Sequence, residues 1–286
     1  MKILYIIILL FSCVTAKPQQ EIPPINIKAN EIFEIKTIDM QNTKGIYYKI
    51  HIALPKHNKD NSVLYTLDGN AFFPILLNLI ALNKKDFTKL PIIVGIGHNT
   101  HLAFDRALRT KDYLPPLEES LQSEFSGGGG ANEFLDFITQ KLQPFIYKQF
   151  GTPQKELLLG HSFGGLFVLY AIINKNISFT HYIIGSPSLW WGYGRFVKEG
   201  LVNLKNINAK IILTQGSLEA HKLVKHPTKA NNITKSDSTP TTKEVLELLQ
   251  LNSTNPNNIR FIEFENESHG SSIPKTLILG IKILEE

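Results

Sequence analysis

Short apolar runs and amphipathic segments alternate along the chain from about residue 32 to its end, and their lengths separate two kinds of element. Runs at 32–38, 46–54, 63–67, 92–96, 157–159, 182–184, 211–214 and 260–264 have strand length and strand composition. The later runs are apolar throughout, the pattern of strands covered on both faces in a mostly parallel sheet. The run at 46–54 differs. There Ile46, Tyr48, Ile50, Ile52 and Leu54 alternate with Tyr47, Lys49, His51 and Ala53, which predicts an antiparallel strand near a sheet edge. Helical patterns lie between the runs. Asn132 stands as a cap before Phe134, Leu135, Ile138 and Leu142 on one face, with Pro144 bending that helix and Gly151 ending it. Thr241 and Glu244 have capping-box spacing ahead of Val245, Leu248 and Leu249. Residues 165–173 read as a further helix, and a last apolar one covers 273–284. The polar stretch 220–242 reads as a mobile surface loop, since it has little apolar area to offset the entropy of ordering. No internal repeat or long linker interrupts the alternation, so it predicts one α/β domain.

Composition narrows the class. At 286 residues, 43% hydrophobic and 19% charged, the chain can bury one large core and is short for two domains of average size. Its scattered glycines and prolines exclude collagen-like, coiled-coil and wholly disordered chains. The net charge of +5 arises from 30 basic and 25 acidic residues that interleave; the absence of a basic stripe argues against a nucleic-acid partner.

Lys2 and the apolar stretch 3–11 have the form of a signal peptide, too short for a stable membrane anchor, and Val14-Thr15-Ala16 offers the small residues of a cleavage site. The predicted divisions are a signal peptide over 1–16, an extended leader over 17–30 and a domain over 31–286, giving an exported, periplasmic or secreted protein that starts at Lys17. Cys13 is the only cysteine, which excludes an intramolecular disulfide and a thiolate zinc cage. Leu10-Phe11-Ser12-Cys13 is also a loose lipobox match. Lipidation at Cys13, and membrane attachment only in that case, stands beside simple cleavage.

The chemistry concentrates around Gly160-His161-Ser162-Phe163-Gly164, which follows a short strand and precedes a helix. This is the context of a nucleophile elbow, in which a strained turn exposes the serine Oγ at the carboxyl end of the sheet. A serine needs a base at neutral pH. His269, in Ser268-His269-Gly270 just beyond the last predicted strand, falls at the same sheet edge. The acid is expected after the strand at 211–214, where Glu219 fits best and Asp237 and Glu244 are rivals. Two backbone N–H donors are expected for an oxyanion: Phe163, after the nucleophile, and Asn70, in the loop Leu67-Asp68-Gly69-Asn70, with Asp68 fixing the turn. Gly127 to Gly130 lacks the Gly-Lys-Ser/Thr of a phosphate loop, and the pair His98 and His101 has no third metal ligand in sight.

Taken in order, Leu67-Asp68-Gly69-Asn70, Val94-Gly95-Ile96-Gly97, Arg109 with Asp112-Tyr113-Leu114-Pro115, the glycines before Asn132-Glu133-Phe134, Gly160 to Gly165, Ser186-Pro187-Ser188-Leu189-Trp190-Trp191 and Ser268-His269-Gly270 resemble the putative-esterase branch of the α/β-hydrolase superfamily, the group of enterobactin and ferri-bacillibactin esterases. The resemblance spans 46–285. It implies an α/β-hydrolase fold, a mostly parallel sheet of about eight strands with helices on both faces. It also implies an ester hydrolase with Ser162 as nucleophile and His269 as base, and a substrate cleft bordered by Arg109, Trp190 and Trp191. Two departures stand out. His98 replaces the family's usual aromatic residue, which would make that cleft wall more polar, and some siderophore esterases are described as Ser-His dyads, which leaves Glu219 open.

The expectation is therefore a serine esterase working through an acyl-enzyme on a small-molecule ester, of siderophore lactone type, without metal or organic cofactor. An acyltransferase or serine peptidase using the same residues, and a non-catalytic surface binding protein, are the alternatives. No motif specifies the oligomeric state. Arg106 and Arg109, in the loop after the strand at 92–96, read either as surface residues paired with Asp105 and Asp112 or, for Arg109, as a fixed cation for an anionic ester.

Overall fold

The computed structural model describes residues 21–175, 178–219 and 239–286. The predicted signal peptide, Cys13, the start at Lys17, Asp237 and most of the predicted 220–242 loop lie outside the described residues.

All eight predicted strands form, in one sheet: β1 (Phe33–Gln41), β2 (Tyr47–Pro55), β3 (Lys59–Thr66), β4 (Leu90–His98), β5 (Lys155–His161), β6 (His181–Gly185), β7 (Lys210–Gly216) and β8 (Ile259–Phe264). Their spatial order is β1-β2-β4-β3-β5-β6-β7-β8. β2 pairs antiparallel with both β1 and β4, and every later pairing is parallel. The helices among the described residues are α1 (Ile27–Ile32), α2 (Gly69–Leu82), α3 (Arg106–Tyr113), α4 (Glu119–Gln122), α5 (Ala131–Phe137), α6 (Gln143–Phe150), α7 (Phe163–Lys175), α8 (Arg195–Asn203), α9 (Thr242–Leu251) and α10 (Ile273–Glu285).

The apolar strands divide by parity between two cores. Ile92, Val94 and Ile96 join Tyr65, Leu158 and Ile184 against the layer of α3, α5, α6, α7, α8 and α9. Ile93 joins Leu64, Leu157, Leu159 and Ile183 against α1, α2 and α10. Burial on both faces is thus what made the runs of β4, β5 and β6 apolar throughout; β8, at the edge of the sheet, keeps Arg260 and Glu263 exposed. Because β3 and β5 to β8 run parallel, the loops leaving their carboxyl ends share one edge of the sheet, and the candidate site lies along that edge.

The structure corrects the reading at several places. The leader is helical over Ile27–Ile32: the Asn26 side chain accepts from Lys28 N, and Ala29 and Ile32 are buried. α2, α3, α4 and α8 have no counterpart in the predicted elements: α2 is apolar nearly all round and contains Pro74, and Arg106 and Arg109, read as loop residues, stand on α3. The cap of α5 is Gly130 instead of Asn132. The bend assigned to Pro144 comes with a π-helical turn over Ile138–Leu142, immediately before α6, with Pro144 in the first turn of that helix. Gly151 does end α6, at φ +87°, and Thr241 and Glu244 do form the capping box of α9.

Candidate active site

Ser162 stands between β5 and α7 at φ +61°, in the left-handed region that an elbow demands. A Cβ on Gly160 would meet Gly164 O at 2.3 Å, and one on Gly165 would meet Gly185 O at 2.5 Å. The close approaches that require glycine are therefore at 160 and 165. Gly164, at the far end of the motif, has ordinary contact distance to Leu67. The turn is held by Ser162 N donating to Gly185 O at 2.9 Å, and by Leu166 N and Ser188 N both donating to Ser162 O.

Glu219 lies in the turn after β7, three residues beyond Gly216, and its Oε2 is 2.7 Å from His269 Nδ1. A carboxylate only accepts, so Nδ1 carries the proton and the lone pair of the neutral imidazole is on Nε2. Oε1 of the same carboxylate accepts from Ser186 Oγ and from Gly216 N, both at 2.8 Å. Burial pushes the Glu219 carboxyl up, but the hydrogen bonds from His269, Gly216 and Ser186 outweigh it and hold the group below its usual range. The rival Glu244 is committed to the α9 capping box.

His161, the residue before Ser162, is missed by the sequence reading as a site residue. Its buried ring lies 4.7 Å from that of His269, centroid to centroid. Ser272 Oγ donates to His269 O at 3.1 Å, so the 3.3 Å contact between the same oxygen and His161 Nε2 has the imidazole as donor. Burial and the neighbouring His269 and Arg109 push His161 well below the ordinary histidine range, so it sits under His269 as a neutral spacer. The imidazole of His269 is half exposed. Ser162 Oγ hydrogen-bonds Ser188 Oγ at 3.2 Å and makes no hydrogen bond to His269 among the described residues.

On the other side of Ser162, Asp68 takes φ +53° and turns the chain into α2. The Asn70 side-chain amide donates to His98 O at 3.0 Å and Leu102 O at 3.1 Å, which fixes the first turn of the helix against the end of β4. The backbone N–H groups of Asn70 and Phe163 make no hydrogen bond among the described residues. Each opens a helix, where such donors favour a developing negative charge.

The Arg109 guanidinium grips Asp68 with two parallel bonds, Nε to Oδ1 at 2.6 Å and a terminal nitrogen to Oδ2 at 3.0 Å. It also lies over the rings of Phe104 and Phe163 at 5.4 Å and of Tyr113 at 5.7 Å. The predicted ion-pair partners are corrected: Asp105 caps α3, Asp112 pairs with His98 at 3.1 Å, and the charge of Arg109 is matched by Asp68. His98 is buried among Tyr48, Tyr113 and Phe134, so it does not make a polar cleft wall. The tryptophan pair divides. Trp190 is 44% exposed, with its ring 5.8 Å from that of Phe163 beside Ser162, while Trp191 is 4% exposed and donates Nε1–H to Pro115 O. Trp191 is a core residue because its indole N–H finds a buried acceptor, and only Trp190 offers a ring to solvent.

Residues 42–255 match the family described as "Putative esterase". The ferri-bacillibactin esterase BesA of Bacillus subtilis is 30% identical over 260 residues, covering 84% of this chain and 85% of that protein. A siderophore triacetylfusarinine C esterase of Aspergillus fumigatus is 32% identical over 203 residues, 64% of this chain and 67% of that one. The crystal structure of the BES protein from Bacillus cereus superposes with a TM-score of 0.67 at 30% identity, covering 86% of this chain and 92% of that one. The chain belongs to this esterase family and is a carboxylic ester hydrolase built on the α/β-hydrolase fold.

Proposed function

We propose that the chain is an exported serine esterase that cleaves siderophore-type lactone esters through an acyl-enzyme. Ser162 attacks the ester carbonyl and gives its proton to His269 Nε2, Glu219 holds the imidazole and its developing charge, and the Phe163 and Asn70 amides receive the oxyanion. Protonated His269 then supplies the leaving alcohol, and water, activated by the same base, releases the acid. The observation that carries this reading is the 2.7 Å contact of Glu219 with His269 Nδ1 on loops at the same sheet edge as Ser162. It favours a triad over a dyad. The substrate class is supported by the names of the two curated relatives and by Trp190, an exposed ring beside Phe163 on which an aromatic, catecholate-like group could stack. Export rests on the sequence of 1–16 alone.

The test is hydrolysis of a ferric catecholate trilactone, short acyl esters, long acyl esters and a peptide by the wild type, Ser162→Ala and His269→Ala. Either variant should lose roughly 10⁶ in kcat while keeping wild-type circular dichroism, because the pair acts as a unit. The lactone should be the preferred substrate. Substantial turnover by a folded Ser162→Ala protein removes the nucleophile, and a preference for long neutral chains or peptides removes the substrate class. Mass spectrometry of the mature N-terminus reads export: Lys17 or a lipidated Cys13 supports it, and an intact Met1 opposes it.

A further inference from the structure

Ser188 contacts the candidate nucleophile directly. It lies in Ser186-Pro187-Ser188, the loop leaving the carboxyl end of β6, and is 6% exposed. Among the described residues its hydroxyl has a single hydrogen-bond partner, Ser162 Oγ at 3.2 Å. A buried hydroxyl is stable only with its partner, so this contact is part of the packed structure and not a surface coincidence. The backbone presets it. Ser162 N donates to Gly185 O, Ser186 N to Thr214 O at 2.8 Å, and Ser188 N to Ser162 O at 3.1 Å, which clamps the loop to both the elbow and β7. Ser186 takes φ +38° within this clamp, and its Oγ donates to Glu219. One short loop thus places one hydroxyl on the acid and the next but one on the nucleophile.

We infer that Ser188 is a further catalytic residue, the hydrogen-bond donor to Ser162 Oγ during acyl transfer. The assignment rests on Ser162 being the nucleophile and His269 its base. As Ser162 attacks, its own proton passes to His269 Nε2, so the oxygen has no proton to offer Ser188 and can only accept from it. The Ser188 hydroxyl keeps its proton throughout. Its dipole faces the charge that accumulates on Oγ before the new C–O bond is complete, and faces it again when that bond breaks in deacylation and Oγ leaves, to be reprotonated by the imidazolium. A neutral hydroxyl is too weak a base to replace His269, so its part is confined to donation. In the resting enzyme the same contact holds Ser162 Oγ while His269 remains half exposed.

The experiment measures labelling of Ser162 by a fluorophosphonate, together with kcat and KM on a short neutral ester, in wild type, Ser188→Ala, Ser188→Cys and Ser188→Thr. Removing one neutral donor should slow labelling and kcat by about tenfold or more, with KM unchanged and thermal unfolding close to wild type. Ser188→Cys keeps the side-chain shape with a slightly larger atom that donates weakly, so it should lose rate in the same direction, and Ser188→Thr, which keeps the hydroxyl, should recover most of it. A purely structural role predicts the opposite split: lower thermal stability with an unchanged labelling rate per folded molecule. Wild-type labelling rates in folded Ser188→Ala or Ser188→Cys overturn the inference and leave the esterase reading standing. Failure of the wild type itself to be labelled at Ser162 overturns both.

Discussion

Glu219 accepts three hydrogen bonds at once, from His269, Ser186 and Gly216, and this saturation is what the acid of the proposed triad, which must stay ionised, requires. Its lowered pKa has a definite sign: the stability it contributes is present at neutral pH and is lost as pH falls through the carboxylate range. Glu219→Gln keeps the shape but puts an amide where His269 needs an anion. Loss of on the order of 10³ to 10⁴ in kcat is expected, with wild-type circular dichroism, and retention of more than about a tenth of the rate would instead make this enzyme a dyad. Arg109 invites a different experiment. Its charge is spent on Asp68, whose carboxylate is buried, so Arg109→Ala leaves an unpaired buried anion and should destabilise the fold by about 3–5 kcal/mol. Arg109→Lys should recover little, since an ammonium cannot make the two parallel bonds. Anionic and neutral esters should then lose rate alike. A rise in KM confined to anionic esters, with unchanged urea unfolding, would restore Arg109 to the substrate.

At the scale of elements, the site is a set of strand ends, and that is why part of it is legible in the sequence. Ser162, Glu219 and His269 each follow an apolar run within a few residues, so predicting β5, β7 and β8 also predicts one edge for all three. Residues whose surroundings come from distant segments are not legible in this way. Arg109 meets Asp68 across 41 positions, and Trp191 meets Pro115 across 76, so no local pattern separates a cleft residue from a packed one. The elbow shows the same limit within five residues. The motif marks Gly160 and Gly164, yet the second tight approach is at Gly165, against the Gly185 carbonyl on the neighbouring β6. Gly164→Ala should therefore leave soluble, active protein. Gly160→Ala and Gly165→Ala force backbone apart at the elbow and should lose activity and thermal stability together. Equal tolerance at all three positions, read by expression, unfolding temperature and labelling of Ser162, would contradict these contacts.

For the molecule as a whole, the sheet is readable because a parallel strand buried on both faces carries its signal in every residue, whereas a helix signals only through contrast between its faces. α1 is six residues long and α2 carries Pro74 inside an almost wholly apolar sequence, so both escape the pattern. The same double burial brings polar groups into the protein, and some of them couple folding to pH. His181 begins β6, and Thr180 Oγ1 already donates to Glu156 O, so the 2.8 Å contact between that oxygen and His181 Nδ1 has the imidazole as donor. Nε2 is then the bare nitrogen, buried without a partner. Protonation would place a charge there beside Lys210 and Lys155, and burial, then these lysines, lower its pKa from 6.5 to about 4. Since the unfolded chain binds this proton and the native one resists it, stability is full above about pH 6.5 and falls as pH drops toward 4, by about 3 kcal/mol at 1.4 per unit. His161, also held neutral by burial, adds to the loss in the same direction. The carboxyl of Glu156 works the other way, because burial raises its pKa and the native state takes up its proton first. His181→Gln removes one titrating group without charge, so its urea unfolding free energy should fall less steeply than that of wild type between pH 6.5 and 4, with the two converging in slope above pH 7. Identical slopes across the acid range would mean that Nε2 finds a partner, or water, in solution.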